Sequence, residues 1–303
     1  MKVLVTGGAG FIGSHVVDLL VKKGFRVSVV DDLSTGRFEN LNPRVTFYRI
    51  GVESPDLRVA FDLERPGAVI HLAAQVDVQR SLKEPRADAE INILGTINLL
   101  EACRRFEVGK VVYASSAAVY GSPAYLPVDE KHPVEPQSPY GASKYIVEHY
   151  LRMYQEAYGI RHTVLRYANV YGPRQAAAGE GGVVAIFVNK LFLGEAPKIF
   201  GDGEQTRDFI YVADVAAANL AALHRGDGMI LNVSTGARLS VNELYRILKK
   251  ITGSALDPES RPPRPGDILH SCLANEKARE ALGWSPLYGL EEGLRETVRY
   301  YQP

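Results

Sequence analysis

Residues 3–13 read Val3-Leu-Val-Thr-Gly-Gly-Ala-Gly-Phe-Ile-Gly13. An apolar run ends at Thr6, glycines follow at Gly7, Gly10 and Gly13, and the apolar residues beyond them recur at helical spacing as far as Lys23. The run reads as a strand buried on both faces, and the glycines fall where that strand turns into a helix. Glycine permits the tight turn and lets backbone approach a pyrophosphate, whose charge rests on free N–H groups at the positive helix end. A glycine-spaced loop can also be a plain strand-to-helix turn. Asp31 adds the second half of the pattern, 18 residues after Gly13 at the end of the next apolar run. A carboxylate there accepts hydrogen bonds from ribose hydroxyls and repels a 2′-phosphate, so NAD is expected rather than NADP, with Asp32 able to share the role.

Outward from this stretch the first 170 residues alternate short β-branched runs with helical patterns, the mark of βαβ units and a parallel sheet. Strands are predicted at 3–6, 26–31, 45–49, 68–71, 110–114 and 162–166, and helices at 11–23, 55–64, 87–106 and 140–158. After Gly172-Pro173 the character changes. A Gly-rich stretch at 178–182 leads into a helix ending at Leu193, then a short strand around Ile199. Strands at 209–212 and 229–233 flank an Ala-rich helix, 240–252 forms another, and two last helices lie near Asn275 and Leu290. The expected architecture is α/β: a Rossmann-like doubly wound parallel sheet (residues 1–171 plus about 208–236) with a smaller, discontinuous α/β substrate domain (about 172–207 plus 237–303).

Composition narrows the function classes. The 303 residues are 46% hydrophobic and 23% charged, as in globular proteins, and 35 Lys and Arg balance 35 Asp and Glu. With no basic excess, no nucleic-acid or anionic-membrane surface is expected. No apolar run is long enough for a membrane span, and the short run after Met1-Lys2 is not a signal peptide. Two cysteines, Cys103 and Cys272, make no disulfide framework, and the seven histidines show no paired ligand spacing, so no metal is predicted. These features lead us to expect a soluble cytoplasmic protein. Cys103 reads as buried packing and His71 as a satisfied structural histidine.

Tyr140 and Lys144 stand at i and i+4, on one helix face. A nearby ammonium lowers a phenol pKa, which would make Tyr140 a general base. Spacing alone does not decide this, because Tyr245 and Lys249 repeat it in a polar helix, where they read as a solvated face. What separates Tyr140 is Ser116, in Tyr113-Ala-Ser-Ser116 at the carboxyl end of a predicted strand, where open α/β sheets bind ligands. Alone, such a serine is a turn or cap residue.

The glycine spacing and the Ser116, Tyr140, Lys144 set resemble the extended short-chain dehydrogenase/reductase superfamily. Longer motifs resemble its UDP-glucose 4-epimerases: Gly7-Gly-Ala-Gly-Phe-Ile-Gly13, Asp31-Asp-Leu-Ser-Thr-Gly36, His71-Leu-Ala-Ala-Gln75, Leu165-Arg-Tyr-Ala-Asn-Val-Tyr-Gly-Pro173, Thr206-Arg-Asp-Phe-Ile-Tyr-Val212 and Arg264-Pro-Gly-Asp267. The resemblance implies hydride transfer from sugar C4 to bound NAD and its return to the other face of a 4-keto sugar. It makes Tyr140 the proton acceptor and has Lys144 bind the nicotinamide ribose. It assigns cofactor contacts to Gly7, Gly10, Phe11, Ile12, Gly13, Asp31, Asp32, Ser34, Gly36, Val52, Leu72, Ala73, Ala74, Gln75, Asn92, Ser115, Tyr140, Lys144 and Tyr167.

Substrate contacts are implied for Ser116, Asn169, Gly182, Val183, Val184, Arg207, Arg264, Asp267 and Ser271, with the two arginines on the diphosphate. Arginine suits that task through its paired N–H donors. Residues 179–184 resemble a segment that closes over the nucleotide, and the helices at 87–106 and 140–158 imply a homodimer. The chain also departs from the pattern. Gly51 stands where many relatives have an adenine-contacting Asp, which leaves adenine to backbone near Val52, and Asp32 replaces a frequent Asn. Dehydratases place an Asp-Glu pair after the residue matching Ser116, and here those positions are Ala117 and Ala118. Ser271 stands where glucose-restricted members carry Tyr, which implies room for an N-acetyl group. Related alternatives are a UDP-glucuronate epimerase or decarboxylase and, from another class, a non-catalytic NAD-binding protein.

Overall fold

The computed structural model describes residues 1–177, 182–263 and 268–302. Arg264 and Asp267, and residues 179–181 of the closing segment, lie outside the described residues.

Six strands come from the first 170 residues: β1 (Lys2–Thr6), β2 (Arg26–Val30), β3 (Thr46–Tyr48), β4 (Ala68–His71), β5 (Lys110–Ser116) and β6 (Arg161–Tyr167). The Met229–Val233 strand joins them in one seven-stranded parallel sheet, ordered Met229–Val233, β6, β5, β4, β1, β2, β3. This is the expected Rossmann-like sheet, each predicted strand landing within about two residues of its place. Alternate residues feed opposite faces. Val3, Val5, Val29, Ile70 and Leu165 join one buried cluster, and Leu4, Val30, Val69, Val111 and Val164 the other. Each such side chain contributes roughly 1.5–3 kcal/mol through burial. Cys103 is fully buried in the second cluster. The strand order reverses between β1 and β4, the position where open sheets leave a crevice at their carboxyl ends.

The sequence merged some elements and missed others. The predicted helix 87–106 is Pro85–Ala89, a π-helical turn at Glu90–Leu94, and Gly95–Arg105. A helix at Val78–Lys83, begun by Asp77 accepting the Arg80 N–H at 2.8 Å, was not foreseen. Neither was the Asn169–Tyr171 strand, which pairs in parallel with Phe209–Tyr211.

A third buried cluster gathers Tyr171, Phe187, Val188, Leu191, Leu244, Tyr245, Leu248 and Leu294 beyond the sheet. Phe11 and Ile12, at the start of the Phe11–Lys22 helix, pack against it. His15 contacts the Pro173 carbonyl at 2.9 Å and Arg174 pairs with Asp18 at 2.8 Å, tying that helix to residues 173–174. Tyr245 corrects an expectation: it is 4% exposed and edge-on to Phe187 rather than on a solvated face. The helix Val241–Thr252 is amphipathic, and Tyr245 shares its apolar stripe with Leu244 and Leu248. Among the described residues no helix is long and apolar enough to cross a membrane.

Candidate active site

The glycine loop is shaped by close approach. Gly7 has φ 69°, and a Cβ on it would lie 2.6 Å from the Ala73 nitrogen. A side chain at Gly13 would strike the Gly7 carbonyl. The loop is thereby drawn against residues 72–73 at the end of β4, which Thr6 Oγ1 also holds by accepting the Leu72 and Ala73 N–H groups, each at 3.3 Å. Gly10 caps the Phe11–Lys22 helix with no side-chain hydrogen bond, leaving the first-turn N–H groups of Phe11, Ile12 and Gly13 without a cap.

Asp31 is 7% exposed and accepts from the Ala9 N–H (3.0 Å) and the Leu33 N–H (2.9 Å). Burial raises its pKa, and those two bonds oppose the rise. At Gly36 a Cβ would come within 2.7 Å of Asp31 Oδ1. Asp32 is turned outward and accepts from the Ser34 N–H and hydroxyl. Val52 is buried, its carbonyl bonded by Asn98 Nδ2 at 2.8 Å. The uncapped helix end, the side-chain-free floor and the buried carboxylate together fit a dinucleotide.

Beyond β4 the backbone carrying Ala73 and Ala74 reaches Gln75, whose N–H bonds Asn92 Oδ1 at 2.8 Å. Asn92 Nδ2 in turn reaches the Gln75 carbonyl and Ser143 Oγ, each at 3.0 Å. This locks the π-turn to the Pro139–Tyr158 helix. His71 sits between the Thr6 and Thr96 hydroxyls at 2.7 and 2.9 Å, and burial drives its pKa down to about 3, so it is a neutral structural residue as expected.

The structure brings Ser116, Tyr140 and Lys144 together. β5 ends at Ser116, whose Oγ accepts the Ala118 N–H at 3.1 Å and is near enough to the Tyr140 hydroxyl to lower its pKa. Ser138 caps the following helix through the Gly141 N–H at 3.1 Å, setting Tyr140 in its first turn. Gly141 allows that approach, since a Cβ there would lie 2.6 Å from the Ala118 carbonyl. Lys144 is 3% exposed; its Nζ donates to the Ala114 carbonyl at 2.9 Å and lies 5.0 Å from the Tyr113 ring centre and 6.0 Å from that of Tyr140. Desolvation lowers the Lys144 pKa to about 8.

The Tyr140 phenol shows the opposite of the expected direction. Burial raises its pKa, the nearby Ser116 hydroxyl lowers it and Asp88 raises it, for a net rise. The lysine cation is spent on the Ala114 carbonyl and lies toward the tyrosine ring face.

Some predicted residues are committed elsewhere. Ser115 donates to Glu148 at 2.6 Å, and Glu148 pairs with the buried Arg166. The Tyr167 hydroxyl bonds Asn219 inside the core. Gly182 caps the Val183–Phe192 helix; Val183 is partly buried, and Val184 is 1% exposed within the third cluster. The side chain of Val184 is thus packing.

On the substrate side, Arg207 donates to the carbonyls of Thr206 (2.9 Å) and Leu269 (3.4 Å). Ser271 donates its N–H to the Thr206 carbonyl at 3.0 Å, which puts the predicted gating position next to Arg207. Asn169 follows β6, its N–H on the Asp208 carbonyl. An open cavity of about 380 Å³ is lined by Phe200, Gln205, Arg261 and Leu269 among others; it meets the Arg207 segment at Leu269, and neither Arg207, Ser271 nor Asn169 lines it. Asp208 was not singled out from sequence. It is 1% exposed and accepts from Thr235, Gly236 and Leu273, joining the Arg207 strand to the segment that carries Ser271. A lone acid beside Arg207 in the sequence gives no sign of that clasp.

Residues 3–234 match the NAD dependent epimerase/dehydratase family. A putative UDP-glucose 4-epimerase of Methanocaldococcus jannaschii is 48% identical over 98% of this chain and 97% of its own. A UDP-glucose 4-epimerase from Thermotoga maritima, solved with UDP-glucose, is 49% identical with a TM-score of 0.97, covering 99% of this chain and 98% of that one. A Thermus thermophilus UDP-glucose 4-epimerase solved with NAD is 44% identical, with a TM-score of 0.94 over 99% of both chains. A UDP-N-acetylglucosamine 4-epimerase from Methanobrevibacter ruminantium, solved with UDP-N-acetylmuramic acid, is 37% identical, with a TM-score of 0.95 over 99% of this chain and 97% of that one. The chain belongs to the NAD dependent epimerase/dehydratase family, is an enzyme, and uses NAD as its cofactor.

Proposed function

We propose that this family member interconverts the C4 epimers of UDP-hexoses, with Tyr140 as the base. The observation that carries the reading is the gathering of Ser116 at the end of β5, Tyr140 in the first turn of the next helix and the buried Lys144, whose Nζ lies 6.0 Å from the Tyr140 ring centre. Residues 7–13 and Asp31 would hold NAD, which when bound would supply a reversible hydride acceptor. Tyr140 Oη, as phenolate, takes the proton of the sugar C4 hydroxyl, and Ser116 Oγ holds that hydroxyl in line. Lys144 orients the nicotinamide ribose and favours the phenolate once its Nζ turns from the Ala114 carbonyl. When hydride returns to the opposite face, Tyr140 gives the proton back.

Ala117 and Ala118 favour simple return over elimination of water, because the 3₁₀ turn after Ser116 offers no carboxyl group there. The relatives solved with UDP-glucose and with UDP-N-acetylmuramic acid support a UDP-sugar substrate. Arg207, with Arg264 and Asp267, would hold its diphosphate and ribose in the lobe formed by about 172–207 and 237–303. The small Ser271 beside Arg207 supports turnover of UDP-GlcNAc and UDP-GalNAc as well. Exposed Ile146 and Met153 on the Pro139–Tyr158 helix support a homodimer.

The test is incubation of purified protein, without added cofactor, with UDP-Glc, UDP-Gal, UDP-GlcNAc and UDP-GlcA, and product identification by NMR. C4 epimers are expected, with Tyr140→Phe lowering kcat about 10³-fold. A 4-keto-6-deoxy sugar or a pentose as product overturns the reaction, and no turnover of the acetylated pair overturns the wider sugar range.

A further inference from the structure

Asp88 lies on the Pro85–Ala89 helix, packed against the Pro139–Tyr158 helix, and is 1% exposed. Its Oδ1 accepts from Gln75 Nε2 at 2.9 Å and from Asn92 Nδ2 at 3.1 Å. Its Oδ2 is buried with no hydrogen-bond partner among the described residues. An idle oxygen on a buried acid is costly, and such acids persist where a cation offsets them. Lys144 is the buried cation of this neighbourhood, one residue after the Ser143 hydroxyl that Asn92 bonds. The Asp88 charge bears on both members of the catalytic pair. For Lys144, desolvation lowers the pKa and Asp88 raises it; for Tyr140, desolvation raises it, Ser116 lowers it and Asp88 raises it.

The other charged groups nearby are engaged or turned away. Glu148 pairs with Arg166, and His71 is neutral. Tyr113 stays a phenol because burial raises its pKa. Arg80 pairs with Glu84 and Arg86 with Glu90 at the surface, Lys83 is exposed, and Asp77 caps its helix.

We propose that Asp88 is a positioning residue for Tyr140 and Lys144: its buried carboxylate holds Asn92, which reaches Ser143 and through it the Tyr140 carbonyl, and its unpartnered oxygen leaves a negative charge facing the pair. The inference rests on the assignment of Tyr140 as base. It is tested by the pH dependence of kcat/KM for UDP-galactose with the NAD-loaded enzyme, in wild type, Asp88→Asn and Asp88→Glu. Asp88→Asn keeps an acceptor for Gln75 and Asn92 and removes the charge. Both limbs of its profile are expected to move down by about one pH unit, with Asp88→Glu close to wild type.

Two readouts are independent of turnover. Isotope-edited NMR of Lys144 titrates lower in Asp88→Asn, and in wild type the Asp88 carboxyl resonance is that of an ionised acid across the active range. An unmoved profile and an unmoved Lys144 titration overturn the proposal. So does a protonated Asp88 in wild type, which decides the matter even if neither variant folds. Retained turnover in Tyr140→Phe removes the base assignment instead, whatever the Asp88 variants show.

Discussion

Tyr140 with Lys144 and Tyr245 with Lys249 share one spacing on two helices, and the molecule uses them for different ends. Lys144 is buried and its pKa is lowered to about 8, whereas the Lys249 ammonium pairs with Asp257 at 2.7 Å, which raises its pKa. Tyr140 lies near a serine at a strand end, whereas Tyr245 donates a hydrogen bond to the Leu256 carbonyl at 2.5 Å and fills a core. Spacing puts two groups on one face, and what that face meets decides whether their protons can move. A lysine whose pKa lies near the working pH can answer to a neighbour's charge. One whose pKa an exposed carboxylate has raised stays charged there.

The comparison can be broken in several ways. The largest contrast expected is between Tyr140→Phe, which lowers kcat about 10³-fold, and Tyr245→Phe, which leaves kcat unchanged and costs about 1 kcal/mol in urea unfolding through its lost hydrogen bond. Equal loss of activity in both would end the distinction. Ser116→Ala is expected to lower kcat about 10²-fold with KM little altered, as measured by initial rates, because in the proposed mechanism the serine aligns the reacting hydroxyl rather than binding the nucleotide. The pH profile sharpens the contrast further. In the proposed mechanism Lys144 works as a cation, and its pKa is lowered, so activity is expected to fall as pH rises through about 8, the range in which it loses its proton. Lys249 adds no limb there, because its shift is upward. Lys249→Met is the smallest effect, with Tm and the pH profile both unchanged.

The sequence exposed the fold most clearly where elements are long and buried on both faces, as in β1, β5 and β6. It did not show Val78–Lys83 or Asn169–Tyr171, which are too short to display a period and are set by a single cap or a single partner strand. In the site, the glycine floor, Asp31, Ser116, Tyr140 and Lys144 were readable because each rests on a local motif. The direction of the Tyr140 shift was not, since burial is a property of the assembled molecule. Tyr245 was misplaced because the polar residues around it hid the stripe it shares with Leu244 and Leu248. Asp88 and Asp208 were invisible for a related reason. Each is a single acid in no motif of its own: the partners of Asp88, Gln75 and Asn92, are near in sequence but meet it only once the chain has turned back, and those of Asp208 arrive from residues 235–236 and 273.

The place of the Met229–Val233 strand has a consequence for biosynthesis. On the ribosome β6 emerges with one long side bare, and its pairing partner is not made until all of residues 168–228 have followed. Through that interval Val164 and Leu165, fully buried in the finished protein, border an open parallel edge. Such an edge invites other chains. A nascent chain stopped before Met229 is therefore aggregation-prone, however complete its glycine loop and its Tyr140–Lys144 pair.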